Sequence, residues 1–274
     1  MNISEIFYSI QGEGKLAGIP SAFVRTTGCN LRCTWCDTPY TSWSPEGEDM
    51  SMDEIVERLS DFPTRYAVLT GGEPLIVDGV SELTRRIKDG GYHLTIETAA
   101  TVFADVACDL MSISPKLGNS TPWERDDGRF ADAHECNRLR IDVIRRLMNL
   151  GPKPPTPDSK PGTQVETRAP DRSAQIETPL PQGGRGQGEE GLRSTAGDYQ
   201  LKFVVDAPED IHEIDDLLAR LGHYDPSDVL LMPQGTTTAE LDARGPWVAE
   251  WCKKRGFRYC PRLHIDLFGH TRGT

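Results

Sequence analysis

The spacing of three cysteines near the start of the chain constrains its structure more than any other feature. Cys29, Cys33 and Cys36 all lie within residues 28–36. Cysteine thiolates hold protein iron–sulfur clusters, and a four-iron cluster normally has four of them. Three local cysteines would hold three irons and leave the fourth iron open. We therefore predict a four-iron cluster whose open iron binds an added cofactor.

Two other interpretations of these cysteines are weaker. Their spacing would also place them on one face of a helix, as small buried hydrophobic residues. Gly28 and Asn30 are poor helix formers, and Pro39 stops any helix shortly afterwards. Zinc sites usually combine a close cysteine pair with a second, distant pair. The remaining cysteines supply no such pair: Cys108, Cys136, Cys252 and Cys260. We therefore interpret the segment as a cluster-binding loop.

The separations of three and two residues between the cysteines, with Trp35 just before the last, resemble the signature of the radical S-adenosylmethionine (SAM) superfamily. The resemblance implies that the open iron binds the amino and carboxylate groups of SAM. It also implies that an electron from the cluster cleaves SAM to a 5′-deoxyadenosyl radical. The protein would hold the substrate and exclude water while the cofactor carries the difficult chemistry.

Further segments resemble cofactor-binding parts of the superfamily. The apolar run 66–70 predicts a strand that ends in Gly71-Gly72-Glu73-Pro74. Alone, that segment would be an ordinary strand-to-helix turn, but beside the cysteines it resembles the loop that contacts the methionyl amino group. Lys202, in the apolar run 199–205, resembles a residue at a cofactor-lining strand end. The resemblance places these residues at the SAM site: Trp35, Cys36, Asp37, Gly72, Ser114, Pro115 and Lys116.

A narrower resemblance comes from three motifs taken together. Residues 10–14, Ile-Gln-Gly-Glu-Gly, then Arg25, then Cys36-Asp37-Thr38 resemble the 7-carboxy-7-deazaguanine synthase family of queuosine and 7-deazapurine biosynthesis. The resemblance implies a carbon–nitrogen lyase that contracts the ring of 6-carboxy-5,6,7,8-tetrahydropterin to 7-carboxy-7-deazaguanine, with loss of ammonia. It further implies SAM and magnesium as cofactors, an electron donor of the flavodoxin or ferredoxin type, and a homodimer.

The same resemblance implies a role for each matching residue. Thr38 would be the protein ligand to magnesium, and His264 in the carboxyl-terminal tail would close over the pterin. The implied substrate contacts are Ile10, Gln11, Gly12, Glu13, Arg25, Thr70 and His264. The guanidinium of Arg25 suits a carboxylate, but it could equally form a surface salt bridge. A Gln-Gly-Glu-Gly segment is often only a turn, and His264 alone could be a structural histidine.

Composition excludes several other classes of protein. The 274 residues are 37% hydrophobic and contain no apolar run of membrane-spanning length, so we expect a soluble chain without membrane association. The first residues lack the pattern of a signal peptide, and seven cysteines, an odd number, do not indicate a disulfide framework. We therefore expect the protein to be located in a reducing cytoplasm.

A formal charge of −12 gives no basic surface for nucleic acid, which favours a small-molecule substrate.

Alternating apolar runs and helical patterns predict an α/β fold with a parallel sheet. The runs lie near residues 21–26, 66–70, 92–96, 110–113, 200–205 and 229–232. Helices are predicted from a capping box at Ser51 and over 80–89, 134–149, 209–221 and 238–255. Six strands are too few for a full barrel, so we expect an open, partial (β/α)6-type barrel with its site at the carboxyl ends of the strands. The radical SAM resemblance implies the same fold.

The predicted core is interrupted once. Residues 151–198 are rich in proline and glycine and lack apolar clusters, which predicts a disordered insertion. The radical SAM core would then comprise residues 1–150 and 199–274, the second part including the tail. Two alternative functions remain at this point. One is an activase of a glycyl-radical enzyme, and the other is an iron–sulfur electron carrier.

Overall fold

The structure, a computed structural model, describes residues 1–148 and 198–274, and these form one mixed sheet of nine strands flanked by helices. The strands are β1 (Asn2–Ile10), β2 (Pro20–Thr26), β3 (Glu48–Asp49), β4 (Tyr66–Gly71), β5 (His93–Thr98), β6 (Leu110–Ile113), β7 (Asp198–Val205), β8 (Val229–Pro233) and β9 (Arg258–Tyr259). The helices are α1 (Pro39–Ser42), α2 (Met52–Ser60), α3 (Val80–Asp89), α4 (Ala131–Arg138), α5 (Ile141–Met148), α6 (Asp210–Leu221), α7 (Thr238–Arg255) and α8 (Leu263–Phe268).

The sheet runs in the order β3-β1-β2-β4-β5-β6-β7-β8-β9. Strands β2 and β4 to β9 are parallel, whereas β1 pairs antiparallel with both β2 and β3. The six predicted strands are the parallel strands β2 and β4 to β8, so the expected α/β class and open, partial (β/α)6 arrangement are confirmed. The carboxyl ends of these strands share one edge of the sheet, where ligands bind in open α/β folds.

The core lies where the helices cover the parallel strands. Every residue of β8 is buried, and Phe203 of β7 is fully buried beside it. A continuous apolar strand of this kind is typical of a parallel sheet covered on both faces. Helices α2, α3 and α6 each turn a buried apolar side toward the sheet. This packing fixes the strand ends and the loops that follow them.

The predicted helix starting at Ser51 is confirmed with its cap. The Oγ of Ser51 accepts a hydrogen bond from the backbone N of Glu54, and the Glu54 carboxylate accepts one from the backbone N of Ser51. The single helix predicted over 134–149 is wrong. Two helices, α4 and α5, stand there, because Leu139 adopts an extended conformation with φ −132° and ψ 99°. Strands β1, β3 and β9 were not predicted.

The predicted insertion, 151–198, lies outside the described residues except for Asp198. That residue pairs with Leu110 and begins β7, so the boundary predicted at 199 is one residue late. Among the described residues, no helix is long and apolar enough to cross a membrane.

Candidate functional site

The three cysteines lie in the loop between β2 and α1, which has no regular secondary structure over residues 27–38 apart from turns and bends. The prediction of a loop is therefore confirmed. Cys33 is buried and packs with Leu31 and Ala99, and Cys29 and Cys36 pack against the same group. Burial raises the pKa of the Cys29 thiol to about 11 and that of Cys33 to about 12, although Lys116 partly opposes the shift at each. Iron would have to displace these protons on binding.

The donor set fits an iron–sulfur cluster better than a single metal ion. Among the described residues, no group of three or more His, Cys, Asp or Glu side chains converges tightly enough to hold one metal ion. All seven cysteines are free thiols, and three of them share the cluster loop. Three thiols on one loop are the donor type and number that a four-iron cluster with one open iron would use.

The cluster loop is held from outside by residues that the sequence did not indicate. The backbone N of Arg32 donates to Nδ1 of His134 at 3.1 Å, and Nε2 of the same ring lies 2.9 Å from the hydroxyl of Ser120. The backbone N of Thr34 donates to the carbonyl of Ser120. Burial lowers the pKa of His134 to about 4, so the ring is neutral at pH 7 and can accept at Nδ1. Both ring nitrogens of His134 have partners, so this residue positions the loop.

The Gly-Gly-Glu-Pro segment packs directly on the cluster loop. A Cβ atom at Gly72 would lie 2.1 Å from the carbonyl O of Gly28 and 2.8 Å from Cβ of Cys29, so only glycine fits there. Gly71 has φ +145°, a conformation that other residues rarely adopt. The backbone N of Glu73 donates to the carbonyl of Gly28 at 3.0 Å. This close approach makes the segment part of the site rather than a simple turn.

The side chain of Glu73 anchors the Gly-Gly-Glu-Pro segment to the protein interior. Its side chain is fully buried and accepts hydrogen bonds from Oγ1 of Thr98 at 2.7 Å, the backbone N of Ala99 at 2.9 Å and the backbone N of Leu75 at 3.1 Å. Burial raises the pKa of Glu73, and these hydrogen bonds offset only part of the rise. Glu73 thus joins the loop after β4 to the end of β5.

A cavity of about 400 Å³ opens at the carboxyl ends of the strands, next to the cluster loop. Most of the predicted site residues line it. They are Ile10, Gln11, Gly12, Glu13, Arg25, Trp35, Asp37, Thr38, Thr70, Gly72, Ser114, Lys116 and His264. Pro115 is not among the lining residues, and the cysteines lie beside the cavity rather than on its wall.

One wall of the cavity combines apolar and cationic groups. Trp35 packs against the small buried cluster Val204, Leu230, Met232 and Cys260, and its Nε1 donates to the carbonyl of Asn119 at 2.9 Å. The ammonium of Lys116 lies 5.7 Å from the centre of the Trp35 ring. It also donates to the Ser114 hydroxyl at 3.0 Å. Three of the residues predicted to hold SAM, Trp35, Ser114 and Lys116, therefore meet at one side of the cavity.

Another part of the cavity wall is built around Glu97, which was not predicted as a site residue. Its two carboxylate oxygens accept hydrogen bonds from Nε2 of Gln11 at 3.2 Å and from Oγ1 of Thr70 at 2.9 Å. The Oε1 of Gln11 accepts a further hydrogen bond from the backbone N of Glu13. Both ends of the Gln11 amide are therefore fixed.

Glu13 lies in a buried group of charges. It is paired with Lys202 and with Arg262, whose Nε donates to Oε1 of Glu13 at 3.0 Å. Burial alone would raise the pKa of Glu13, but the two positive charges outweigh it and hold this pKa well below its usual range. Lys202 and Arg262 are themselves buried, with 5% and 6% of their surface exposed. Glu13 is therefore a carboxylate at pH 7.

Arg25 both lines the cavity and forms an ion pair. Its Nε donates to Oε1 of Glu5 at 2.7 Å, and the guanidinium lies 5.4 Å from the centre of the Phe7 ring. Only 15% of the Arg25 side chain is exposed, so the pair is not a simple surface salt bridge. The carboxyl-terminal residues complete this side of the cavity, with His270, Arg272 and Thr274 on its wall.

His264 packs against the loop that carries the predicted substrate residues. A Cβ atom at Gly12 would lie 2.0 Å from Nδ1 of His264, and the carbonyl of Gly12 accepts a hydrogen bond from the backbone N of Leu263. Burial lowers the pKa of His264. The tail therefore reaches the cavity.

Comparisons with known proteins identify the family of the chain. The family model of the radical SAM superfamily matches residues 23–123. A 7-carboxy-7-deazaguanine synthase of Rhodopirellula baltica is 39% identical over 99% of this chain and 88% of that protein. Another, from Halobacterium salinarum, is 40% identical over 99% of this chain and 92% of that protein. The crystal structure of QueE from Escherichia coli has the same fold, with a TM-score of 0.57, 22% identity, and coverage of 94% of this chain and 92% of that one.

Proposed function

The chain belongs to the 7-carboxy-7-deazaguanine synthase family of radical SAM enzymes, which carry a four-iron cluster and use SAM, and we propose that its cavity binds 6-carboxy-5,6,7,8-tetrahydropterin beside that cofactor. In this proposal the enzyme contracts the pterin ring to 7-carboxy-7-deazaguanine and releases ammonia, as a carbon–nitrogen lyase. Family membership favours this function over a glycyl-radical activase or an electron carrier.

One observation supports the substrate above all others. A single cavity joins the cluster loop to three polar groups of different chemistry, namely the cation of Arg25, the carboxylate of Glu13 and the fixed amide of Gln11. A carboxylated pterin carries an anion at one end and a donor-rich aminopyrimidinone edge at the other. The cavity therefore offers a matching partner for each end.

Arg25 is suited to the substrate carboxylate. Glu5 occupies only its Nε, and among the described residues no acceptor bonds to Nη1 or Nη2. These two nitrogens form a planar fork that can bind a carboxylate through two parallel hydrogen bonds. The ring of Phe7 lies beneath the guanidinium and adds a cation–π contact. We propose that Arg25 orients the substrate through this contact.

Glu13 is suited to the other end of the pterin. As a carboxylate it can only accept hydrogen bonds, and the aminopyrimidinone edge offers N–H donors. Lys202 and Arg262 hold its charge inside the cavity, where an isolated carboxylate would take up a proton. Backbone groups of Ile10 and Gly12, together with His264, would then close the wall around the ring.

The residues of the cluster side have positioning roles. When bound, the cluster and SAM supply the radical that abstracts a hydrogen atom from the substrate. Cys29, Cys33 and Cys36 would hold three irons. Gly72, which has no room for a Cβ beside Gly28 and Cys29, would line the SAM site through its backbone. The apolar ring of Trp35 would pack against the cofactor and exclude water.

We propose that Thr38 is the protein ligand to magnesium. Its Oγ1 lies at the cavity wall, 3.9 Å from the sulfur of Cys36. Magnesium keeps several waters and readily shares oxygen atoms of a substrate, so a single hydroxyl ligand is sufficient when a substrate carboxylate completes the site.

The remaining proposals concern partners and compartment. We propose a one-electron donor of the flavodoxin or ferredoxin type, a homodimer, and a cytoplasmic location. The seven free thiols support a reducing compartment, and the charge of −12 argues against a nucleic-acid partner.

The test is anaerobic turnover by the protein after reconstitution of its cluster. SAM, a reductant, magnesium and 6-carboxy-5,6,7,8-tetrahydropterin are added, and the deazaguanine chromophore and 5′-deoxyadenosine are measured together. The proposal predicts that both appear and that the chromophore requires the pterin. SAM cleavage without consumption of the pterin would overturn the substrate and keep the radical SAM chemistry. No SAM cleavage by the fully reconstituted protein would favour an electron carrier.

A further inference from the structure

Arg262 connects the two halves of the cavity. Its Nε donates to Glu13, Nη1 to the carbonyl of Gly235, and Nη2 to Asp37. Glu13 belongs to the loop after β1, Asp37 follows the last cluster cysteine, and Gly235 follows β8. One buried guanidinium therefore joins three segments that are far apart in the sequence.

The geometry of this contact is more restrictive than a simple charge pair. All three guanidinium nitrogens donate hydrogen bonds, and their planar fork fixes the separation of the two carboxylates. A lysine ammonium is a point charge on a flexible stem and cannot reproduce that fork. Glu13 has a second cation in Lys202, whereas among the described residues Arg262 is the only one whose side chain donates to the carboxylate of Asp37.

The backbone next to Arg262 follows the same loop. Leu263 donates its backbone N–H to Gly12, and His264 packs so closely on Gly12 that no Cβ could be added there. Movement of residues 11–13 on ligand binding would therefore move residues 262–264 as well. Through the guanidinium, the same movement would reach Asp37.

On the basis of the proposed function, we propose that Arg262 is a positioning residue that couples the pterin side of the cavity to the SAM side. It does so by holding Glu13 and Asp37 in one fixed arrangement. Coupling of this kind is reciprocal, so the pterin raises the affinity for SAM by the same factor by which SAM raises the affinity for the pterin. Coupling factors in proteins are typically about fivefold or more.

The experiment uses the reconstituted, oxidised protein, which binds both ligands without turning over. The dissociation constant of SAM is measured by anaerobic calorimetry with and without saturating carboxylated pterin, and the pterin constant with and without SAM. The variants are Arg262→Gln and Arg262→Lys. Arg258→Gln is the matched control, because Arg258 is exposed on β9. Iron per chain and the melting temperature are recorded for each protein.

We expect the wild type and Arg258→Gln to show coupling of about fivefold or more. In Arg262→Gln the coupling factor should fall to about one, with iron content retained. Arg262→Lys should recover the affinity for one ligand without recovering the coupling, since one ammonium cannot hold both carboxylates. If Arg262→Gln does not fold, Arg262→Lys decides the question, because it keeps the charge.

A purely structural role for Arg262 would lower the melting temperature and leave the coupling factor unchanged, which would overturn the proposal. An uncoupled wild type would overturn it as well. Failure of the proposed function is a different result, in which the wild type neither binds nor consumes the pterin. If the wild type turns over the pterin but shows no coupling between SAM and pterin binding, only the proposed role of Arg262 is overturned.

Discussion

Arg25 donates a hydrogen bond from Nε to Oε1 of Glu5 at 2.7 Å, which fixes the guanidinium at the cavity wall. The hydroxyl of Tyr40 donates to the same oxygen at 3.0 Å, and Nε of Arg272 donates to the other at 3.3 Å. Glu5 therefore holds together groups from β2, from α1 and from the carboxyl-terminal tail. The carboxyl terminus is tied to the residue that orients Arg25.

Replacing Arg25 should weaken substrate binding strongly. Arg25→Ala leaves the substrate carboxylate without a charge-assisted partner, a loss of roughly 2 to 5 kcal/mol, or about 30-fold and upward in the dissociation constant. Arg25→Lys should recover only part of the loss, because an ammonium cannot form the two-point contact. Glu5→Gln should have a smaller effect, since it loosens Arg25 without removing it. Calorimetric titration of the pterin into reconstituted protein measures each constant. If Arg25→Ala bound the carboxylated pterin with wild-type affinity, this substrate assignment would be wrong.

Replacing Thr38 should change the response to magnesium and leave the cluster intact. Thr38→Ala removes the proposed oxygen ligand. The magnesium concentration that gives half-maximal turnover should therefore rise by about tenfold or more. Thr38→Ser keeps a hydroxyl and is the matched control. Turnover is measured across a magnesium titration, and iron per chain is checked in both variants. An unchanged magnesium response in Thr38→Ala would show that another residue holds the ion.

Each cysteine of the cluster loop should be irreplaceable. Cys33→Ser should lose the four-iron absorbance and SAM cleavage, because serine cannot supply the thiolate. Cys252→Ser should keep both, since Cys252 is buried on α7, away from the cluster loop. Iron analysis and 5′-deoxyadenosine formation test the pair. Full iron in Cys33→Ser together with its loss in Cys252→Ser would reverse the ligand assignment.

Glu73 should stabilise the loop that packs on the cluster segment. Glu73→Ala leaves three buried donors without an acceptor, and each unsatisfied group costs about 1 to 3 kcal/mol, so the loss should be about 3 kcal/mol or more. In a chain of this size, that lowers the melting temperature by about 6 °C or more. Glu82→Ala is the control, since the Glu82 side chain on α3 is 50% exposed. Thermal unfolding followed by circular dichroism compares them. Equal melting temperatures would show that Glu73 is dispensable.

The sequence predicted the local features of the fold and missed the long-range ones. The apolar run of β8 and the capping box at Ser51 are set by neighbouring residues, so both were found. Strand β1 was missed because only Ile3 is buried along it, and the strand is stabilised by pairing with β2 and β3. The break at Leu139 was missed for a similar reason, since no proline or glycine marks it.

The same distinction holds in the site. Motif residues such as Gln11 and Gly72 were found because short motifs carry them, and the cavity brings them together. Glu97 and Arg262 were missed because their partners are far away in the chain. Arg262 and Glu13 are separated by 249 positions, and no local spacing signals such a pair. The sequence thus predicts which side chains bind ligands better than it predicts which ones position them.

Lys15 should make the stability of the chain fall at high pH. Its ammonium donates to Asp228 at 2.6 Å and to Asp198 at 2.9 Å, and its side chain is only 13% exposed. Burial lowers the pKa of Lys15, but these hydrogen bonds outweigh it, so the pKa in the folded chain lies above the ordinary 10.5. The native state therefore holds this proton more tightly than the unfolded chain. The resulting stabilisation is complete below pH 10.5 and is lost as the pH rises through the folded pKa.

Urea unfolding at about pH 9 and about pH 11.5, on either side of the ordinary lysine pKa, measures this contribution. The wild type should lose more unfolding free energy between the two values than Lys15→Met, which has no proton to lose. Other groups that titrate in this range are common to both proteins and cancel in the difference. Lys253→Met is the control, because Lys253 is 71% exposed and should leave the wild-type pH dependence intact. A Lys15→Met protein that loses as much stability as the wild type would show that the bonds to Asp198 and Asp228 do not raise this pKa.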